Sequence, residues 1–239
     1  MRCFRVSTHL EDRYMAQKAG KGGRIVAGLG TLLVSIMFTA ILVNFLFLII
    51  GFVIFLILAA SNKEEGSLTT GIKGENILEK TLSESLSDEY TAFFNIPIES
   101  GGDIDCLVIG PTGIYLFEAK NHKGYILCID DSWSQVKVGK NGKVYDGEYI
   151  KDPSSQLRKG IFEVKRVLSR HGINMWIEGV IVFTNPEVSL FCEEPKGIRI
   201  IRADEIGSIF KGKKAFLNEK TRGLITEIIS ENYGMKGGG

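Results

Sequence analysis

Cysteine chemistry is the first thing this 239-residue chain does without. Its four cysteines, Cys3, Cys106, Cys128 and Cys192, are scattered, with no Cys-x-x-Cys pair and no Cys/His spacing of a zinc site. That excludes a zinc ribbon and a disulfide framework, and it fits a reducing compartment. Net charge is almost missing as well: +1 in total, so the chain as a whole is no polycation that would coat nucleic acid by charge alone. Internal repeats and low-complexity blocks are absent. The glycine-rich Gly20-Lys-Gly-Gly23 lacks the preceding strand and the spacing of a phosphate-binding loop.

A local absence says more. From Ile25 to Ala60 run 36 residues without one charged side chain. A single straight helix over them would be about 54 Å long, against a hydrocarbon core of about 30 Å. Two short spans turning near Val43-Asn44, about 28 and 24 Å long, fit a bilayer better. Arg13, Lys18, Lys21 and Arg24 precede the segment and hold the N-terminal side in the cytoplasm; a hairpin returns the rest of the chain there. The long polar lead and the lack of a small-residue cleavage pattern argue against a signal peptide. Gly28, Gly30, Ser35 and Ala40 would let helices approach closely, a route to a homo-oligomer. Expected domains are therefore a basic tail (1–24), a membrane segment (25–60), a linker (61–70), an α/β domain (71–202) and C-terminal helices (203–239).

What the chain does have is a pair of opposed carboxylates. Gly102 to Lys120 reads as strand, turn, strand, with Gly110-Pro-Thr-Gly113 as the turn. Facing Ile109 with Ile114 puts Asp105 opposite Glu118 and Asp103 opposite Lys120. Alternation then places these four on one face, with Ile104, Cys106 and Val108 on the other. Two carboxylates about 5 Å apart repel by about 3 kcal/mol at an effective dielectric near 20, a strain that a divalent cation or a shared proton relieves.

Around this hairpin the spacing predicts a helix over 73–86 with the apolar stripe Leu78, Leu82 and Leu86, on which Glu75 also falls. Glu75 also sits in the first turn of that helix, where a solvated carboxylate favours the dipole. A first strand is expected over 90–98, and further strands over 125–129, 135–138, 180–184 and 197–201. Helices are expected from Asp152-Pro-Ser and over 203–210 and 215–233. The long helix after Asp152 would bury Leu157, Ile161, Val164 and Leu168, leaving Lys159, Arg166 and Arg170 outside as a solvated face or a line following phosphates. The order implies an α/β layer structure with a mixed sheet.

These residues resemble the nuclease-related domain (NERD) family, grouped with the PD-(D/E)xK nucleases of restriction-endonuclease-like fold. The resemblance rests on Gly74-Glu75, Ile104-Asp105, Gly113-Ile-Tyr-Leu-Phe-Glu-Ala-Lys-Asn121 with Gly124, Trp133 and Gln156, and runs from about residue 71 to 185. It implies a restriction-endonuclease-like mixed sheet flanked by helices, here preceded by an N-terminal transmembrane helical hairpin. It further implies phosphodiester hydrolysis with DNA as substrate. Asp105, Glu118 and Glu75 would bind Mg2+ or Mn2+, Lys120 would stabilise the transition state, and Gln156 would position the substrate. Two departures stand out: no proline precedes Asp105, and the chain after residue 24 is slightly acidic. The alternative is a nuclease-like binding or scaffolding module at the membrane, without turnover. His122, Trp133 and the Lys211/Lys213/Lys214 patch read as an exposed loop residue, a packing residue and a possible contact for anionic lipid, respectively.

Overall fold

A computed structural model describes residues 2–5, 13, 30–32, 45–99, 101–138, 141 and 143–235. The chain divides into two compact units, one of residues Met1–Ser7 with Lys73–Gly239, the other of Thr8–Ile72.

Helix α1 begins at Phe45 in the second unit and continues without interruption to Ser85 in the first. The expected linker over 61–70 is thus helical. Lys63, Glu64 and Glu65 are good helix formers and no proline intervenes, so Gly66 costs about 1 kcal/mol without breaking the helix. Ile50, Phe52, Val53, Phe55, Leu56 and Ile57 are exposed along its start. Among the described residues no helix is long and apolar enough to cross a membrane. The expected turn at Val43-Asn44 and most of the first expected span lie outside the described residues.

The first unit is built on two sheets. The larger has six strands: β1 (Arg2–Arg5), β2 (Thr91–Pro97), β3 (Asp103–Gly110), β4 (Gly113–Lys120), β8 (Ile177–Phe183) and β10 (Ile198–Arg202), in that order. It is mixed: β2, β3 and β4 are antiparallel neighbours, while β1, β8 and β10 pair in parallel. Residues 2–5, expected as tail, form its edge strand. The smaller sheet orders β7 (Val144–Tyr149), β6 (Ser132–Val138), β5 (Gly124–Ile129) and β9 (Val188–Cys192). Neither β7 nor β9 is apparent in the sequence, because Val-Tyr-Asp-Gly-Glu-Tyr and Val-Ser-Leu-Phe-Cys are short and weakly alternating.

Both faces of the large sheet are covered. On one side lie Leu107, Ile109, Ile114, Leu116, Ile177 and Ile181, packed with α2 (Pro153–Arg170) and α3 (Glu219–Asn232). On the other, Leu78 and Leu82 from the end of α1 pack with Cys106, Val108, Tyr115, Phe117, Val180 and Val182. Two glycines set the approach of α2: a Cβ on Gly160 would lie 3.0 Å from Ile104, and one on Gly179 would lie 2.9 Å from Ile161 and Leu157. The expected helix over 203–210 is a 3-10 helix, Ala203–Ile209, and α3 starts four residues later than expected, where Asn218 accepts from the Thr221 N–H.

Candidate active site

The site begins with a kink. Phe94 pairs with Cys106 and Ile96 with Ile104, so register is kept across Asn95 and Asp105. Yet Phe94 and Cys106 belong to one core and Ile96 and Ile104 to the other. Strict alternation would keep residues two apart on the same face. Asn95 adopts φ 56°, and this left-handed residue turns both strands over at the position opposite Asp105. The sequence expectation that Ile104 shares a face with Cys106 and Val108 is corrected accordingly. The signal was there in Phe93-Phe94-Asn95-Ile96, where asparagine, which tolerates the left-handed region, interrupts an apolar strand.

The hairpin register is as expected through the turn, with Ile109 opposite Ile114 and Cys106 opposite Phe117. There the β3–β4 ladder ends, one pair short of Asp105 and Glu118. Beyond it the Ala119 N–H donates to Asp105 Oδ2 at 2.6 Å, so the carboxylate takes the place of a backbone acceptor. Asp103 does not pair with Lys120; its strand partner is Pro97. β4 continues instead along β8, with Glu118 beside Ile181 and Lys120 beside Phe183.

This splaying gathers the charged groups. Glu118 is only 4% exposed, and Lys120 Nζ donates to its Oε1 at 2.6 Å. The same ammonium donates to Gln156 Oε1 at 3.1 Å. Burial, then the neighbouring Glu118 charge, hold the Asp105 carboxyl well above the usual carboxylate range, and Glu75 adds to the push. Burial also raises Glu118, more than the Lys120 charge lowers it. Burial pulls the Lys120 ammonium down, but Glu118 and Asp105 outweigh it, and the net shift is upward. Asp105 is therefore the centre of an acidic group, with Glu118 on one side and Glu75 near enough to repel it.

Gly74 explains how Glu75 gets there. A Cβ at Gly74 would lie 3.2 Å from both Asn121 Cβ and Thr184 Oγ1, so the helix rests directly on the ends of β4 and β8. Gln156 is placed by the start of α2, where Asp152 Oδ1 accepts from the Ser155 N–H and Pro153 fits the first turn. The buried Trp133 Nε1–H donates to Ser154 Oγ at 3.0 Å and so ties the small sheet to that same helix start. Five residues expected at the site, Glu75, Asp105, Glu118, Lys120 and Gln156, thus come from α1, β3, β4 and α2.

Other expectations resolve differently. His122 is held by the small sheet, its Nδ1 lying 3.3 Å from Gln135 Oε1. Arg166 pairs with Glu99 and Glu163 at 2.7 Å, a structural role rather than a free phosphate contact. Lys213 pairs with Glu178 and lies over the Tyr115 ring.

Hard oxygen donors side by side, each raised by the other or by burial, suit a hard divalent ion better than a soft one. Among the described residues, however, no three His, Cys, Asp or Glu side chains form a ready-made metal cage. Residues 70–184 match the model of the nuclease-related domain (NERD) family. No curated protein and no solved structure matches the chain.

Proposed function

The chain carries a nuclease-related domain over residues 70–184, and from that premise we propose that it is a metal-dependent nuclease that hydrolyses phosphodiester bonds in DNA. The observation that carries this reading is the junction of Asp105, Glu118 and Lys120 where the β3–β4 ladder opens. Asp105 and Glu118, with Glu75 behind them, would hold Mg2+ or Mn2+. When bound, such an ion supplies positive charge to the scissile phosphate and acidifies water beside it.

The chain's own groups do the rest. Lys120 keeps its proton at neutral pH and presents fixed positive charge where negative charge develops on the phosphoryl oxygens. Gln156 accepts from that ammonium and sets its direction, so the helix N-terminus orients Lys120 without competing for its charge. Trp133 and Ser154 hold that helix start in place. The covered sheet faces on both sides exclude water from the back of the site.

Anchoring at a membrane belongs to the same proposal. It is supported by the uncharged run 25–60 and by the exposed apolar side chains between Ile50 and Ile57. A second reading, a nuclease-like scaffold without turnover, is favoured by one observation: Asp105 already accepts from Ala119 and Glu118 from Lys120.

The full chain, solubilised in detergent, separates these readings. A fragment lacking the first 62 residues is unsuitable because it loses β1. Cleavage of DNA in Mg2+ or Mn2+, stopped by EDTA and by Glu118→Ala, is expected. Equal cleavage by Glu118→Ala would place the activity elsewhere. Absence of cleavage together with absence of Mn2+ binding by calorimetry would select the scaffold.

A further inference from the structure

We propose that the outer face of α2, with the segment that follows it, is a docking platform for single-stranded nucleic acid; this deepens the nuclease reading and rests on it for the class of partner. α2 carries Arg158, Lys159, Lys165, Arg166 and Arg170 against one acidic residue, Glu163, in a chain whose total is only +1. This helix is therefore a local basic face on a molecule with almost no net charge.

Two large aromatic rings stand out of this basic face. Phe162 is 69% exposed and Trp176 is 66% exposed. A lone exposed ring needs no explanation, but these two border two adjoining pockets. The first is lined by Asp152, Ser155, Arg158, Lys159 and Phe162, with Arg166 and its partners Glu99 and Glu163 beside them, and the second by Phe162, Lys165, Ser169 and Trp176 over an aliphatic floor of Leu168, Ile173 and Met175. Phe162 and Arg166 line both. Residues 158, 162, 165 and 169 follow one helical stripe, so phenylalanine falls between cations in space as well as in sequence.

The Trp176 ring is held rather than loose. Lys165 Nζ lies 5.0 Å from the centroid of Trp176, and a Cβ on Gly197 would meet the same ring at 3.4 Å. A preorganised indole loses little freedom when a base stacks on it. Arg158 is bound to Asp131, and Arg166 to Glu99 and Glu163. Among the described residues Lys159, Lys165 and Arg170 are in no ion pair, which leaves three cations for phosphates.

Interleaved rings and cations choose the partner. Bases in a duplex are stacked on each other and offer no face to Phe162 or Trp176, whereas unstacked bases do. A lipid-seeking surface would show a broad aliphatic area, whereas here the aliphatic residues Leu168, Ile173 and Met175 form a small floor beside Lys165 and Arg166. Along the same helix Phe162 lies six residues beyond Gln156, about 9 Å along the axis and about 120° around it. A strand stacked on Phe162 would cross the first turns of α2 to reach the group that holds Lys120.

The test uses the full chain in detergent, with EDTA present so that binding is read apart from cleavage. Fluorescence anisotropy of a short labelled oligothymidylate gives Kd. Quenching of tryptophan emission reports on Trp176, because Trp133, the other tryptophan, is buried. Phe162→Ala and Trp176→Ala are each expected to weaken Kd about tenfold. The double variant Lys159→Gln/Lys165→Gln should lower the slope of log Kd against log salt by about 1.4. Unchanged Kd in both ring variants overturns the platform, as does equal affinity for a blunt duplex. Binding of phosphatidylserine vesicles but not of oligothymidylate overturns it in favour of a lipid surface. Cleavage in Mg2+ is scored separately: ring-dependent binding without cleavage sinks the nuclease reading alone, and cleavage with ring-independent binding sinks the platform alone.

Discussion

At Asp105 a single carboxyl group is asked to do two opposed things. It closes the end of a strand pair by accepting from Ala119, and it stands beside two other acids that repel it. Replacing it by asparagine keeps an acceptor for Ala119 and removes the repulsion. Asp105→Asn is therefore expected to abolish cleavage while raising the stability of the metal-free protein by about 1 kcal/mol, read by urea denaturation in EDTA. Lys120→Ala should do the reverse to stability. It leaves Glu118 buried without its ammonium, at a cost of about 3 kcal/mol. The Glu118 carboxyl is already raised, so its proton favours the native state, and that contribution fades as pH climbs through the native value. The loss in Lys120→Ala is thus expected to be larger at pH 8 than at pH 5, measured by the same titrations.

Between elements, close approach decides whether the acids meet. Gly74→Ala adds helix propensity worth about 1 kcal/mol but pushes a methyl against Asn121 and Thr184. We expect thermal stability almost unchanged and cleavage reduced, because Glu75 moves with its helix; an unaltered rate would show that Glu75 takes no part. The pair Cys128 and Cys192 lies side by side across β5 and β9. Burial pushes the Cys128 thiol up to about 12 and Cys192 up to about 11. Iodoacetamide should therefore modify them far more slowly in the native chain than in urea at pH 8. Between pH 9 and 12 the unfolded chain sheds thiol protons that the native one keeps, so stability should fall through that range.

At this scale only part of the site could be read in the amino-acid order. The approach of the two strands as far as Cys106 and Phe117 was legible because a Pro/Gly turn fixes register. The ladder's early end was not, since it depends on Asn95 in another strand. The strands β7 and β9 were illegible for a related reason: each is held by its neighbours in the small sheet rather than by its own pattern. Helix α2 announced itself through Asp152-Pro153 and its apolar stripe.

For the molecule as a whole, the mixed sheet with helices on both faces was foreseeable from element order, and the part played by residues 2–5 was not. Anchoring has its own test. Deleting residues 25–60 is expected to move the protein from the membrane pellet to the supernatant, and a deleted chain that still sediments would refute the anchor. Strand β1 makes the outcome more constrained than a count of apolar residues would. Arg2–Arg5 and everything after Lys73 are stitched into one body, so the stretch from Thr8 to Ile72 leaves that body and must come back to it. On the proposed anchoring, such a closed excursion would keep its two ends in one compartment. Whatever lipid it enters, it enters and leaves by the same side, and tags placed ahead of Arg2 and after Met235 should be cut together or protected together by protease.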